Sequence, residues 1–108
     1  MDVGPVFHAL ADSTRRDIVQ RLKTAPQSVS ALAAPYRMSL PALTKHLAVL
    51  EAAGLVRTSK TGRIRHCALA TDALKAAAAW LSEYEDFWTE RLDALEAHLS
   101  EANGEERP

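Results

Sequence analysis

The sequence predicts a mainly α-helical fold with one small β-hairpin, and two observations lead to that prediction. Apolar residues recur every three or four positions along most of the chain, whereas residues 55–69 form two β-type runs on either side of a Thr61-Gly62 pair. The chain has 108 residues, 47% of them hydrophobic and 25% charged, as in one globular domain. We expect this domain to cover residues 1–102 and residues 103–108 to form a disordered tail.

The first two helices are predicted from apolar spacing and a capping residue. One begins near Pro5, because proline is tolerated in the first turn of a helix. Asp12 then precedes a run in which Ile18 and Leu22 share one helical face. Its carboxylate is therefore the expected N-cap of a second helix over about 13–24.

Two short capped helices joined by a tight turn are predicted next. Ser28 is the expected cap of the first, which ends at Pro35, and Ser39 is the expected cap of the second, a helix over 39–52. Gly54 supplies the left-handed residue that ends this helix. Three residues mark its core-facing side: Leu43, Leu47 and Leu50.

The rest of the chain predicts a basic hairpin and a long helix. The hairpin covers residues 55–69, with Thr61-Gly62 as its turn. The helix begins at about 73–75, runs to about 102 and carries an apolar seam with the spacing of packed helices. The seam consists of Leu81, Tyr84, Trp88, Leu92, Leu95 and Leu99.

Charge is divided between the two halves of the chain, although the net charge is only −1. Residues 13–66 hold ten basic and two acidic residues, and residues 67–108 hold three basic and ten acidic ones. The basic half suits a polyanion such as DNA, which would repel the acidic half. Because the sequence has neither a signal pattern nor an apolar run long enough to cross a membrane, we predict a cytoplasmic protein without a membrane partner.

Two segments and the hairpin after them resemble a known family. FHALADSTRRDI (residues 7–18), MSLPALTKHLAVLEAAGLV (residues 38–56) and the basic hairpin are together similar to the ArsR-type (arsenic-resistance-repressor) winged helix-turn-helix regulators, and the similarity covers about residues 5–100. The aromatic pattern from Trp80 onwards is similar to one branch, whose members often lack a recognisable metal site. The resemblance implies a winged helix-turn-helix with a long C-terminal dimerisation helix, and homodimers that block promoters and release DNA on a signal.

The 39–52 helix is the expected reading element, because a helix fits the major groove and its outward side chains can reach base edges. The base-reading candidates are Leu40, Pro41, Thr44, Lys45 and His46. His46 could instead lie against the core. Ser39, at the helix N-terminus, is a candidate for a phosphate contact, for a simple N-cap, or for both.

The basic hairpin is the expected wing. Arg63 and Arg65 fall on one face of the predicted strand and Ile64 on the other, so that an arginine-bearing edge could reach the minor groove or phosphates. Arg57 and Lys60 are expected to add contacts to the DNA backbone. The alternative is a charged, soluble hairpin whose charges prevent edge-to-edge aggregation.

Arg15 and Arg16 open the second helix and are further candidates for phosphate contacts. Arg15 could instead pair with Asp12 or with an acidic residue of the last helix. Both interpretations remain open from the sequence.

No metal site and no cofactor are predicted. Ser28-Val-Ser30 stands where the resemblance implies a Cys-x-Cys pair in metal-sensing members, so that site is absent. For a second family site between paired C-terminal helices, three residues have suitable types: Glu85, His98 and Glu101. Phe87, however, stands where a histidine would be needed. Cys67, the only cysteine, is expected to face the core as inert packing, with a redox switch as the alternative.

The apolar seam predicts a homodimer, and Phe7 is a further expected interface residue. The alternative for Trp80, Tyr84 and Trp88 is the lining of a small-molecule pocket. The histidines and the Asp12-Ser13 pair form no nucleophile-and-base arrangement, so the chain is not expected to be an enzyme. The competing interpretation of the whole chain is a protein-interaction module that binds no specific DNA sequence. The operator and the effector ligand are not indicated by the sequence.

Overall fold

The computed structural model describes residues 2–106, with the side chains of residues 2–102. The elements are α1 (Gly4–Leu10), α2 (Ser13–Leu22), β1 (Gln27–Ser28), α3 (Val29–Ala33), α4 (Leu40–Ala52), β2 (Val56–Thr61), β3 (Ile64–Leu69) and α5 (Asp72–Glu106). The predicted fold class is therefore confirmed as a mainly helical winged helix-turn-helix with a long C-terminal helix. The boundary between two compact units of the chain falls after Ala77.

The three predicted N-caps are confirmed. The carboxylate of Asp12 accepts from the backbone N–H of Arg15 at 3.0 Å, and the hydroxyls of Ser28 and Ser39 accept in the same way at the starts of α3 and α4. Each of these bonds satisfies one backbone donor that a helix N-terminus otherwise leaves without a partner. The helix starts are thus determined locally by single side chains.

The core of the first unit is built from residues that α1, α2, α3, α4 and the hairpin contribute in turn. The three predicted leucines of α4 are at most 1% exposed, and each stabilises the fold by about 1.5–3 kcal/mol through burial. They pack in one cluster with residues that include Val6, Ile18, Leu32, Leu55, Val56 and Cys67. This packing fixes which side of α4 faces outward.

Gly54 ends α4 in the predicted left-handed conformation, with φ of 77°. The N–H of Leu55 donates to the carbonyl of Leu50 at 2.9 Å, and the N–H of Gly54 donates to the carbonyl of Glu51 at 3.0 Å. This pair of bonds is a Schellman motif. It turns the chain directly from the reading helix into the first strand of the wing.

The sheet is antiparallel, with strand order β1-β3-β2. Strand β1 was not expected from the sequence, because two residues carry no periodicity; Gln27 pairs with Cys67 and Ser28 with His66. The hairpin turn lies one residue later than predicted. Thr61 pairs with Ile64, so the turn consists of Gly62 and Arg63 rather than Thr61 and Gly62.

Arg21 and Tyr36 hold the turn between α3 and α4. The Arg21 guanidinium donates to the carbonyls of Leu32 at 2.7 Å and Ala31 at 2.9 Å, and it lies over the ring of Tyr36. The hydroxyl of Tyr36 donates to the carboxylate of Asp17. The end of α3 and the turn are therefore both tied to α2, which gives α4 a defined start.

Helix α5 extends further than predicted at both ends. It begins at Asp72 and continues to Glu106, so residues 103–106 of the predicted tail are helical, while residues 107 and 108 lie outside the described residues. Ala73 and Ala77 are buried in the first unit. None of the described helices has both the length and the hydropathy needed to cross a bilayer.

Candidate nucleic-acid interface

Helix α4 presents an outward face at its N-terminal end. Leu40 is 53% exposed, and Pro41 and Lys45 are also exposed, which leaves their side chains accessible to a partner. Thr44 is partly buried, and its hydroxyl donates to the carbonyl of Leu40 at 2.9 Å. Thr44 therefore keeps a methyl group and the hydroxyl lone pairs for an external contact, but its proton is already used.

His46 is brought to Arg15 rather than to the exposed face of α4. The imidazole Nδ1 lies 3.4 Å from an Nη1 of Arg15 and 3.8 Å from the carboxylate of Asp12. The guanidinium of Arg15 also donates to the carbonyls of Ala9 at 2.6 Å and His8 at 3.2 Å. Of the two interpretations of His46 from sequence, the structure favours the one that turns it toward the domain.

Arg15 and Arg16 are likewise engaged within the protein. Arg15 makes the contacts just described and does not use Asp12 as a salt-bridge partner; Asp12 instead accepts from the Arg15 backbone. The side chain of Arg16 donates to the carbonyl of Leu10 at 2.8 Å. The two guanidinium groups thus donate to the carbonyls of His8, Ala9 and Leu10 at the end of α1, and the His8 carbonyl also accepts from the backbone N–H of Ala11.

The wing concentrates positive charge at its tip. Lys60 and Arg65 are directly opposite each other in the β2–β3 register, and both are exposed. Like charges at such a cross-strand pair destabilise a hairpin. Arg63 lies in the turn, which corrects the prediction that it shares a strand face with Arg65. A polyanion bound here would relieve the repulsion.

A groove of about 500 Å³ lies between the starts of α3 and α4 and the strand β3. Its lining residues are Ser28, Val29, Ser30, Leu40, Thr44, Arg63, Ile64, Arg65 and His66. None of these residues is acidic. The groove therefore joins the outward face of α4 to the basic wing through hydroxyl, imidazole and guanidinium groups, which are the groups that bind phosphate oxygens.

Five residues of this groove were not identified from the sequence as contact candidates: Ser28, Val29, Ser30, Ile64 and His66. Ser28 pairs with His66 in the short β1–β3 ladder, which the sequence did not reveal, and Ser30 follows in the first turn of α3. Ile64 was expected to face away from the contact surface, yet it is 53% exposed and lines the groove. Strand alternation alone does identify Ile64 and His66 as neighbours on one face.

A second cleft, of about 410 Å³, has the opposite character. Its polar lining includes the carboxylates of Asp2, Glu51 and Asp72 together with Arg57. Three carboxylates disfavour the approach of a phosphate backbone. Arg57 therefore lies among acidic groups at the base of the hairpin rather than in the carboxylate-free groove.

Cys67 is fully buried in β3, as predicted, and its thiol is protonated near neutral pH. Burial raises its pKa to about 11, and the nearby Glu51 carboxylate adds to the rise. Because the thiolate is the reactive and metal-binding form, this environment opposes both roles. Within the described part of the chain, no group of three or more potential metal ligands is found.

The second unit of the chain exposes the predicted apolar seam of α5. Every seam residue is about half exposed, from 48% for Leu81 to 59% for Leu92. The aromatic residues contact one another along the helix: the rings of Trp80 and Tyr84 stack at 5.4 Å, and Tyr84 meets Trp88 edge-on at 6.1 Å. Phe7, the other expected interface residue, is partly buried against the core of the first unit.

Comparison with known proteins gives consistent results. A family described as "Helix-turn-helix domain" matches residues 10–59. The chain is 38% identical over 100 residues to the HTH-type transcriptional regulator Rv2034 of Mycobacterium tuberculosis, with 93% of this chain and 90% of the relative covered. It is 28% identical over 79 residues to the transcriptional repressor SdpR of Bacillus subtilis, and the match covers 73% of this chain and 88% of SdpR.

Among solved structures, the fold of this chain is similar to the crystal structure of the ArsR family transcriptional regulator RHA00566. The TM-score is 0.75 and the sequence identity 45%, over 79% of this chain and 88% of that one. The family match ends within β2, at residue 59, whereas the similarity to Rv2034 covers 93% of the chain.

Proposed function

Since the chain belongs to the ArsR family of helix-turn-helix transcriptional regulators and is a DNA-binding regulator, we propose that it is a homodimeric repressor of a pseudo-palindromic operator. The observation that carries the proposal is the carboxylate-free groove, which joins the exposed end of α4 to the basic wing. Two such surfaces related by a two-fold axis would read half-sites about 34 Å apart. The proposed activity is binding without catalysis, in the cytoplasm where the promoter lies.

Base reading is assigned to the exposed N-terminal face of α4. Lys45 can donate to guanine O6 or N7, and Leu40 or Pro41 can contact a thymine methyl. Thr44 contributes its methyl group or a lone pair, since its proton is bound to the Leu40 carbonyl. Ser39 keeps its N-cap bond to Ala42 and offers its remaining hydroxyl capacity to a phosphate at the helix N-terminus.

Phosphate binding is assigned to the wing. Lys60, Arg63 and Arg65 are exposed and lie at its tip, and His66 and Ser30 extend the same surface into the groove. Arg16 and Arg57 are less favourable candidates, because one is bonded to the end of α1 and the other lies beside carboxylates. The DNA backbone that separates the major groove from the minor groove would thus lie along a continuous surface of basic and hydroxyl groups.

Dimerisation is assigned to the apolar seam of α5. An exposed stripe of this length is uncommon on a monomer, and a second copy of the same helix offers a surface of matching chemistry. The repressor activity follows from the dimer, because a protein bound across two half-sites of a promoter would exclude polymerase.

The decisive test is binding to a duplex that covers the region upstream of the protein's own gene, with a scrambled duplex of equal length as reference. Lys45→Ala should lose about 1–3 kcal/mol of discrimination between the two duplexes. Arg65→Ala should weaken binding to both and make the slope of log K against log salt shallower by about 1. Equal binding of the wild-type protein to the two duplexes would contradict sequence-specific repression and favour the interaction-module interpretation.

A further inference from the structure

The side chains of Arg15, His46 and Asp12, with the carbonyls of His8 and Ala9, form one connected group that we call the Arg15 cluster. It joins the end of α1, the start of α2 and the middle of α4 through contacts of 2.6, 3.0, 3.2, 3.4 and 3.8 Å. Its side chains are only partly exposed, at 23% for His46 and 36% for Asp12. The cluster is therefore the polar contact between the reading helix and the α1–α2 junction.

Arg15 and Asp12 both lie near the imidazole Nδ1 of His46. Arginine has donors and no acceptor, so the imidazole Nδ1 accepts in the 3.4 Å contact with Arg15 Nη1. Asp12 is further from Nδ1, at 3.8 Å, and its carboxylate would need a proton on that nitrogen. The bond with Arg15 is therefore the contact that ties α4 to α2.

Because His46 lies on α4, its hydrogen bond to Arg15 affects the helix that is proposed to read DNA. Lys45 is the adjacent residue, and side chains of neighbouring helical residues project about 100° apart. A bond that fixes the His46 face against α1 and α2 therefore fixes the direction in which Lys45 projects. The leucines of α4 fix which side of the helix faces the core, and the hydrogen bond of His46 adds a directional constraint on the rotation that this packing leaves.

We infer that Arg15 and His46 are positioning residues, which refine the rotation of the reading helix within the limits set by its buried leucines and make no contact with DNA. This inference rests on the proposed function, because it requires sequence-specific binding. It replaces the sequence-based assignment of Arg15 to phosphate and of His46 to bases. Three of the five N–H groups of Arg15 are already directed at partners within the protein.

The test compares Arg15→Ala with Arg65→Ala on the upstream and scrambled duplexes over a range of salt concentrations. For Arg15→Ala we expect the preference for the upstream duplex to fall about tenfold, as for the loss of a charge-assisted hydrogen bond. Its affinity for the scrambled duplex and its salt slope should stay at wild-type values. Arg65→Ala, the matched control, should instead lose salt slope on both duplexes.

Two outcomes would overturn the inference. A shallower salt slope for Arg15→Ala would mean that the guanidinium contacts a phosphate. An equal fall in affinity for both duplexes, with a reduced folded fraction by circular dichroism, would mean that Arg15 acts only on stability. Failure of the proposed function is distinguishable from both, because it would already appear in the wild-type protein as equal affinity for the two duplexes.

His46 provides an independent test through a conservative variant. In His46→Asn the amide oxygen can take the place of Nδ1 as acceptor and cannot be protonated near neutral pH, so the wild-type preference should be retained. His46→Ala should lose the preference for the upstream duplex. The double variant His46→Ala with Arg15→Ala should lose no more of this preference than either single variant. Loss of preference in His46→Asn with additive single effects would contradict the inference.

Discussion

Cys67 shows how the surroundings of one residue decide its chemistry. The thiol is fully buried, and its pKa is raised to about 11 by burial and by the Glu51 carboxylate. A group with this pKa is protonated through the physiological range, which disfavours both attack on oxidants and binding of soft metal ions, because the thiolate is the reactive form. The wing therefore contains a cysteine that serves as packing.

Labelling with iodoacetamide tests this conclusion. At pH 8 the folded protein should react only as fast as the wing opens, and the unfolded protein should react at the rate of a free thiol. Ser59→Cys is the matched control, because Ser59 is exposed in the same hairpin; this variant should take up one label when folded and two when unfolded. Rapid labelling of the folded wild-type protein would show Cys67 to be accessible.

At the residue scale, the sequence predicted the side chains whose neighbours are close in the chain. The caps at Asp12, Ser28 and Ser39 bond to backbone groups three residues away, so their roles could be inferred from local pattern. The bond between Arg15 and His46 spans 31 residues and depends on how α2 packs against α4. No periodicity encodes such a contact.

At the element scale, Gly54 couples the reading helix to the wing. Its φ of 77° completes the Schellman motif from which β2 departs, and a Cβ at this position would lie 3.4 Å from the Cβ of Ala73. The left-handed conformation costs a residue with a Cβ about 1–2 kcal/mol. The direction of the wing is thus set by a residue that makes no contact with the groove.

Gly54→Ala should lower the free energy of unfolding by about 1–2 kcal/mol, measured by urea denaturation. Gly54→Asn is the matched comparison, because asparagine adopts the left-handed conformation more readily than alanine. The free energy of unfolding should therefore fall less in Gly54→Asn than in Gly54→Ala. If asparagine were as destabilising as alanine, the contact with Ala73 rather than backbone strain would be the cause.

The elements themselves were largely predictable, because α2, α3 and α4 each begin at a capping side chain and the helices carry apolar residues at helical spacing. The hairpin was predicted with its turn displaced by one residue, since the sequence does not say whether Gly62 is the first or second residue of the turn. This displacement moved Arg63 from a strand face into the turn. The groove depends on β1, whose two residues are too few for a pattern, so Ser30 and His66 were missed.

At the scale of the whole molecule, the seam of α5 is an apolar stripe that the single chain leaves accessible. Its six residues are each about half exposed, and they follow one side of the helix from Leu81 to Leu99. Burying such a stripe against a second copy would remove apolar surface from water at about 25 cal/mol per Å². In the proposed dimer, the seam of each chain would pack against the seam of the other.

Leu92→Glu should convert the protein to a monomer in sedimentation experiments, because two carboxylates would then be buried in the proposed interface without partners. Ala97→Glu is the matched control: it adds the same charge on the opposite side of the same helix and should leave the dimer intact. A wild-type protein that sediments as a folded monomer would contradict the dimer outright.

The pairing of Lys60 with Arg65 across the wing means that salt acts on this element in two opposite senses. Added ions screen the repulsion between the two side chains, so they stabilise the wing of the free protein. The same ions reduce the gain from releasing counterions when a phosphate backbone binds. High ionic strength should therefore stabilise the wing of the free protein and at the same time lower its affinity for DNA.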